Sequence, residues 1–311
     1  HCRLRRQRQM CIRDRHYHAQ ILPRMGEESE HVTTTFVNIH VTILNLATKQ
    51  QIVLPRWKEV NTICLPKDTG TPKIHRLRPL NLYEADLNLL LRIILAKRLL
   101  RKAEREKTLP DEAWGNRKLR SAGDVGLQKI ITMELGALTR KPLGQIDLDA
   151  KACYDRILRP VAILACHRYG LPLPMCCWLM AVLETQEHHL ISPNGRSKTG
   201  YGSTPERRLH GIGQGSTAAP VIWLFISSLM LLSMREWSKG VKWSTPQATV
   251  TTKRYADSYV DDTTLWINEE ADEEKLKQRM ETDLTAYQEM LPWTGGALTL
   301  SKCFFSILAW E

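Results

Sequence analysis

The stretch that decides the fold is Ser258-Tyr259-Val260-Asp261-Asp262-Thr263-Thr264-Leu265-Trp266-Ile267, in which two acids stand between two β-prone arms. Because Asp is a favoured turn residue, the simplest interpretation is a hairpin with Asp261 and Asp262 at its tip. An acidic dipeptide alone is a weak signal of function. The run therefore predicts strand, turn and strand over residues 254–267, and any chemistry depends on what else meets the tip.

A second acid ends another predicted strand. The run Gly144-Gln145-Ile146-Asp147-Leu148-Asp149 is a short strand whose last carboxylate would lie at a sheet edge, where it could meet the hairpin tip. Carboxylates from two strands suit a pair of divalent cations about 3.5–4 Å apart, because oxygen ligands favour Mg²⁺. Taken alone, Asp149 would be a helix N-cap or first-turn acid. Asp147 leaves the register open, and Asp257 likewise precedes the hairpin tip.

A glycine-rich segment, Gly211-Ile212-Gly213-Gln214-Gly215, precedes an apolar run over residues 216–234. A backbone without side chains can approach a nucleotide closely, although such helix entries are commonly simple turns. The apolar run is long enough to span a bilayer. Pro220 in its first turn, with Ser227, Ser228 and Ser233 interrupting the run, favours a buried core helix instead, so we predict no membrane partner.

The composition favours a polyanionic partner. The chain has 311 residues, with 44 Lys and Arg against 33 Asp and Glu, a net charge of +11 and 43% hydrophobic residues. These values argue against a disordered or collagen-like chain and fit about two domains or one domain with an insertion. They favour nucleic acid over an anionic membrane surface as the partner. Residues 53–130 hold 17 cations against nine acids, and residues 1–24 hold seven Arg against one acid.

The eight cysteines show no zinc-site spacing, which indicates a reducing compartment. No apolar leader opens the chain. We therefore expect an intracellular protein, in the cytoplasm or nucleus, that is not secreted.

The remaining pattern predicts further elements. Residues 61–67 and 73–80 read as two strands around a Gly/Pro turn, and both strands carry cations. Helical patterns cover residues 84–102, 161–170, 175–187 and 271–290. Residues 32–54 fit either a strand or a helix.

In this order the motifs resemble the reverse transcriptase domain of retroelement polymerases, over about residues 50–310. Residues 149–157 are similar to the first palm motif, residues 213–220 to the Gln-Gly to Pro motif, and residues 259–262 to the Tyr-x-Asp-Asp box. Lys67 and Arg78 fall in runs similar to the fingers hairpin. Lys302 falls in a run similar to the segment whose Lys is thought to protonate departing pyrophosphate.

The resemblance implies an α+β fold. It predicts the fingers and palm of a right-hand polymerase, with an antiparallel palm sheet flanked by helices and a thumb that is missing or truncated. Residues 1–30 would form a basic flexible arm, of which the first residues resemble translated adapter sequence. Residues 31–142 would form the fingers, and residues 143–311 the palm, interleaved with a fingers segment at about 188–212. The chain would be a fragment of a polyprotein, without nuclease or integrase regions.

The resemblance also implies a metal site. Asp149, Asp261 and Asp262, with the carbonyl of Ala150, would bind two Mg²⁺ ions, with Mn²⁺ as an alternative. The other implied catalytic residue is Lys302, whose ordinary interpretation is an exposed surface lysine.

Six residues would bind nucleotide or template: Lys67, Arg78, Tyr154, Gln214, Gly215 and Tyr259. The ring of Tyr154 would crowd a 2′-hydroxyl, unless it is simply a core aromatic beside Ile157. Lys67 and Arg78 would neutralise phosphate charge, unless they belong to a solvated hairpin face.

The implied function is RNA-directed DNA polymerization in a retrotransposon, which joins a dNTP to a primer 3′-hydroxyl. The partners would be an RNA template, a DNA or RNA primer and the dNTP, whereas the oligomeric state is open. An RNA-directed RNA polymerase is one alternative, against which Tyr154 and Val260 argue. The other alternative is a non-catalytic remnant of such a domain that binds nucleic acid.

Overall fold

The computed structural model of the protein describes residues 28–67, 73–268 and 272–310. Most of the predicted basic arm therefore lies outside the described residues, which begin in a helix at Glu28. The helices are α1 (Glu28–Lys49), α2 (Pro55–Lys58), α3 (Ala85–Leu91), α4 (Leu100–Arg105), α5 (Ala122–Thr139), α6 (Cys153–Arg156), α7 (Arg159–Arg168), α8 (Leu173–Glu184), α9 (Ala219–Trp237) and α10 (Glu273–Met290).

The strands form three sheets. They are β1 (Glu59–Pro66), β2 (Leu77–Leu82), β3 (Leu143–Asp149), β4 (Glu187–Ser192), β5 (Gly195–Arg196), β6 (Tyr201–Gly202), β7 (Val241–Ser244), β8 (Thr251–Arg254), β9 (Ala256–Tyr259), β10 (Asp262–Ile267) and β11 (Phe304–Leu308). The five-stranded sheet has the order β2-β1-β4-β5, with β6 paired to β4, and the four-stranded sheet has the order β11-β3-β10-β9. Strands β7 and β8 pair with each other.

The chain divides into two compact units. The first comprises the described residues up to Ile94, with Pro172–Leu209 and Gln214–Thr217, and the second comprises Leu95–Leu171, His210–Gly213 and the described residues from Ala218 onward.

The predicted boundary at residue 142 falls inside the second unit. Residues 95–142 belong to that unit because they bond to its sheet: the amide of Trp114 donates to the carbonyl of Ser258 at 2.8 Å. The Arg254 guanidinium donates to the Gln128 carbonyl at 3.0 Å. The assignment of residues 31–142 to fingers and of residues 143–311 to palm stays a prediction.

In the first unit, β1 and β2 form the predicted antiparallel hairpin, although the turn at residues 68–72 lies outside the described residues. Strand β1 also pairs in parallel with β4. Beside this sheet, the rings of Trp57 and Trp178 meet edge to face at 6.0 Å. The Trp178 indole donates to the Ile52 carbonyl at 3.1 Å, so this buried polar group has its partner.

In the second unit, the four-stranded sheet is antiparallel throughout. Leu265, Trp266 and Ile267 are fully buried, and burial of each such side chain contributes about 1.5–3 kcal/mol. Helix α10 packs on β3, where a Cβ at Gly144 would lie 2.6 Å from the Met280 sulfur. A side chain at position 144 would therefore require Met280 to shift.

Helix α9 is the predicted apolar helix. Of the described helices it alone is long and apolar enough to cross a membrane, and 61% of the apolar window is buried inside the protein. Phe225 on α9 stacks on Tyr169 with ring centroids 4.4 Å apart. These contacts are those of a core helix, as the sequence predicted.

Two segments differ from the sequence expectation or sharpen it. Residues 32–54, which fitted either class, are helical to Lys49. The predicted helix over residues 84–102 is interrupted by a π-helical segment, Arg92–Leu99, between α3 and α4. Leu95 and Leu99 are buried there while Lys97 and Arg98 face solvent, so the amphipathic pattern survives the wider turn.

Candidate active site

The predicted hairpin tip lies between β9 and β10. Tyr259 pairs with Asp262, so the chain turns at Val260 and Asp261. Val260 has a φ of 60°, which is rare for a β-branched residue and costs of the order of 1–3 kcal/mol. The Trp223 indole holds this turn by donating to the Val260 carbonyl at 2.5 Å. A strained turn that is fixed by a neighbouring helix is common at functional sites.

Strand β3 brings Asp149 to this tip. Asp149 lies directly opposite Asp262 in the antiparallel register of β3 and β10. The Ala150 amide donates to the Asp261 carbonyl at 3.2 Å, and the Thr299 amide donates to the Asp149 carbonyl at 2.9 Å. Three carboxylates and the Ala150 backbone therefore meet at one place in the second unit.

The carboxylates influence one another. Desolvation, followed by the charges of Asp261 and Asp149, raises the pKa of Asp262. Two lysines oppose that shift: Lys129 and Lys302 favour the ionised form of Asp262. The Lys302 ammonium lies 3.2 Å from Asp149 Oδ1, and its side chain is 65% exposed. The site is thus an anionic cluster with the exposed Lys302 side chain beside it.

The neighbouring acid Asp147 has structural partners. Its carboxylate accepts hydrogen bonds from Gln145, from Thr264 and from the Lys129 ammonium, the last at 3.0 Å. Burial raises the pKa of Asp147, but these hydrogen bonds outweigh burial and lower it overall. Asp147 therefore braces β3 against α5 and β10, and Asp149 is the acid of β3 that faces Asp262.

Asp257 is likewise a structural acid. It is buried, pairs with the Arg254 guanidinium, and accepts from the Trp266 indole at 2.7 Å. Asp147 and Asp257, the two acids that left the sequence pattern ambiguous, thus both have structural partners, and the choice of Asp149 stays a prediction.

Tyr154 lies beside the cluster. It lies in the short helix α6, which begins directly after Ala152, a residue with a φ of 49°. The Tyr154 carbonyl accepts from the Ile212 amide at 3.0 Å. Burial, then Cys153 and Asp261, raises the pKa of the half-buried phenol. Burial and Asp261 also raise the pKa of the Cys153 thiol to about 12. Sequence reasoning did not single out Cys153, and its position inside the run 149–157 was the available signal.

The loop that precedes Lys302 is hydrogen-bonded to the chain on both sides of α6. The Lys151 amide donates to the Ala297 carbonyl at 2.8 Å, and the Leu158 amide donates to the Thr294 carbonyl at 2.8 Å. Gly295 has a φ of 89° and lies against the Arg156 backbone, where a Cβ has no room. The 3₁₀ turn Leu300–Lys302 then leads into β11.

The other predicted residues lie in the first unit. Lys67 and Arg78 are exposed on the β1–β2 hairpin. The Asn81 amide on β2 donates to the Gln214 carbonyl at 2.7 Å. Gly215, with a φ of 112°, packs so closely on the Asn81 carbonyl that only glycine fits. Gln214 and Gly215 are therefore attached to the hairpin strand, an arrangement that spacing along the chain could not indicate.

No group of three or more His, Cys, Asp and Glu side chains in residues 28–67, 73–268 and 272–310 is arranged to hold a metal ion. Asp149, Asp261 and Asp262 therefore do not form such a group as they stand, and the Lys302 ammonium contacts Asp149 Oδ1. The donors are carboxylate and carbonyl oxygens, which is the chemistry that Mg²⁺ prefers.

Comparison with known proteins gives a likeness of fold. No family model and no curated protein sequence matches the chain. Solved structures do match. Telomerase from Candida tropicalis in complex with the TWJ fragment of telomeric RNA has a TM-score of 0.54 at 12% identity, over 86% of this chain and 44% of that one.

Two further telomerase structures agree. Apo telomerase from Candida tropicalis, truncated from the C-terminal domain, has a TM-score of 0.55 at 13% identity, over 88% of this chain and 55% of that one. Telomerase from Candida albicans with the TWJ fragment of telomeric RNA has a TM-score of 0.51 at 12% identity, over 88% of this chain and 46% of that one. The chain spans about half the length of the telomerase chains it matches, and it has a reverse-transcriptase-like polymerase fold.

Proposed function

We propose that this chain is the RNA-directed DNA polymerase domain of a retrotransposon, which joins a dNTP to a primer 3′-hydroxyl on an RNA template. The observation that carries the proposal is the register that sets Asp262 opposite Asp149, with Asp261 at the adjoining turn. Its support is the reverse-transcriptase-like fold and the order of the motifs around that register. The RNA template has the further support that similar telomerases bind telomeric RNA.

The proposed cofactor is a pair of Mg²⁺ ions, or of Mn²⁺ ions. Asp149 and Asp261 would hold them, with Asp262 and the Ala150 carbonyl as further oxygen donors. When bound, such ions activate the attacking hydroxyl and neutralise the charge of the phosphates. The support for this role is that the cluster is anionic and offers oxygen donors, and that Lys302, the cation beside it, is exposed.

The bond-forming step is an in-line displacement. The primer 3′-hydroxyl loses its proton to solvent as its oxygen attacks the α-phosphorus of the dNTP, and the bond from that phosphorus to the pyrophosphate oxygen breaks. Lys302 would donate its proton to the departing pyrophosphate. Tyr154 would exclude a 2′-hydroxyl from the sugar position and so favour deoxynucleotides.

Five residues would bind rather than react. Lys67 and Arg78 would neutralise phosphate charge with exposed cationic side chains. Gln214, Gly215 and Tyr259 would border the new base pair and the template. The close packing of Gly215 on β2 supports a role for backbone at that position.

Primer extension on an RNA template, with Mg²⁺ and either dNTPs or rNTPs, tests the proposal. We expect extension with dNTPs that Asp261→Asn abolishes. Asp111→Asn, a change at a surface acid whose side chain is 93% exposed, is the matched control and should extend normally. Efficient rNTP extension would support an RNA polymerase instead. Binding of nucleic acid without extension would support the non-catalytic alternative.

A further inference from the structure

Strand β11 places an aromatic ring on the face of the sheet that carries the acids. Phe304 pairs with Asp147 across β11 and β3. Directly opposed residues of antiparallel strands share a face, and alternate residues of one strand share a face. Phe304, Asp147 and Asp149 therefore lie on the same side. Two residues along a strand span about 6.6 Å, so the ring of Phe304 lies within one or two nucleotides of Asp149.

This ring is open to solvent. Phe304 is 64% exposed at the edge of the four-stranded sheet, beyond which the described residues add no further strand. Exposed rings beside cationic groups are how many proteins hold single-stranded nucleic acid, because every base has a face that can stack.

The two acids nearest to the ring are each paired with a cation. Asp147 is paired with Lys129, and Asp149 with Lys302, so each carboxylate nearest to the ring has an ammonium partner. Lys302 stands two residues before Phe304, and Lys151 is also exposed. Ring and cations together form a surface that a nucleotide strand fits better than an apolar protein segment does.

We propose that Phe304 is a binding residue for the primer strand, whose terminal nucleotides contact its ring while the 3′-end lies at the carboxylates. The proposal rests on the proposed polymerase function for the identity of the strand. The contact with a single strand rests on the placement of Phe304 alone.

The chain offers a matched control in the next residue. Phe305 has the same side chain and is 71% exposed, but it pairs with Ile146 and so points to the opposite face. That face is the one against which Leu276 and Met280 of α10 pack. The two phenylalanines thus share a side chain and a high exposure, and they differ in the face they present.

The test measures the dissociation constant of a fluorescein-labelled single-stranded oligodeoxynucleotide by fluorescence anisotropy. EDTA is present so that no turnover occurs. Stacking values predict that Phe304→Ala weakens binding about five- to 150-fold, whereas Phe305→Ala changes it by less than about twofold. Phe304→Trp should bind at least as well as the unchanged chain. Thermal melting of each variant checks that the fold is intact. Photo-crosslinking of 5-iodouracil near the 3′-end should label Phe304.

Equal effects of the two alanine variants, no effect of Phe304→Ala, or no binding by the unchanged chain would each overturn the proposal. Self-association that Phe304→Ala abolishes, without a change in oligonucleotide binding, would assign the ring to a protein partner and also overturn it. The polymerase proposal fails separately. If the chain never extends a primer but Phe304→Ala weakens oligonucleotide binding, the proposed binding surface stands and the polymerase proposal fails. A chain that extends equally well with both alanine variants keeps the enzyme without this surface.

Discussion

Asp262 on β10 lies directly opposite Asp149 on β3. Like charges that face each other across an antiparallel pair destabilise a sheet, so this register costs stability where it occurs. A slip of one residue would move Asp149 to the other face, and the bonds from Ala150 to Asp261 and from Thr299 to Asp149 prevent it. Backbone hydrogen bonds therefore hold the two carboxylates opposite each other despite their like charge.

Removal of the Lys302 ammonium should slow turnover without unfolding the protein. We expect Lys302→Met to lower kcat for primer extension by about 10²-fold or more, because general acid catalysis is lost, with the KM for dNTP little changed. The ion pair is largely exposed, so the free energy of unfolding should change by less than about 1 kcal/mol. Steady-state kinetics and thermal melting measure the two quantities. Lys275→Met, at an exposed lysine of α10, is the control, and an unchanged kcat in Lys302→Met would refute the assignment.

Tyr154 should set the preference between sugars. Loss of its ring in Tyr154→Ala removes the bulk that crowds a 2′-hydroxyl, so the ratio of ribonucleotide to deoxynucleotide incorporation should rise about tenfold or more. Tyr154→Phe keeps the ring and should keep the ratio. Competition between the two nucleotides in single-turnover extension measures it. If Tyr154→Ala leaves the ratio unchanged, Tyr154 is a core aromatic and no more.

The acids of the site were within reach of sequence reasoning, since each ends or begins a run of β-prone residues. Period-2 patterning and the spacing of Asp149 from Tyr154 were local signals. What could not be predicted depends on contacts between distant residues. The ion pair of Lys129 with Asp147 and that of Lys302 with Asp149 join residues 18 and 153 positions apart.

The same reason explains the division of the chain. The predicted boundary at residue 142 followed the motif order, whereas the units divide after Ile94. Residues 95–142 join the second unit through backbone bonds such as that of Trp114 to Ser258, which composition and periodicity do not register. Residues 32–54 were ambiguous because they are rich in Thr, Val and Ile but show no clear period of either a strand or a helix.

The strained turn should tolerate glycine. Val260 holds a φ of 60°, which glycine adopts without cost, so Val260→Gly should leave the free energy of unfolding unchanged or raise it by up to about 1 kcal/mol. Val241→Gly, at a fully buried position of β7, should instead lower it by about 2–4 kcal/mol. Urea denaturation compares the two variants. A loss at position 260 as large as that at position 241 would show that the side chain of Val260 carries packing that outweighs the strain.

Asp283 should make stability fall as pH rises. Burial raises its pKa above the ordinary value of 3.8, although Ser238 donates to it and Arg279 lies 3.3 Å away. An acid whose pKa is higher in the folded state binds its proton more tightly there, so it stabilises the fold at low pH. That contribution is lost as pH rises from the unfolded pKa through the folded one.

The check is the free energy of unfolding as a function of pH from 3.8 upward. Asp283→Asn should remove this part of the slope, whereas Asp111→Asn should retain it. An Asp283→Asn curve that is parallel to that of the unchanged chain would contradict the assignment.

The most direct test of the central claim is the initial rate of primer extension on an RNA template by Asp261→Asn relative to Asp111→Asn, with both variants shown to be folded. If Asp149, Asp261 and Asp262 together form the catalytic centre, the rate of Asp261→Asn falls by about 10²-fold or more while Asp111→Asn extends at the full rate. Equal rates in the two variants would contradict the claim that the acids at the hairpin tip perform the reaction.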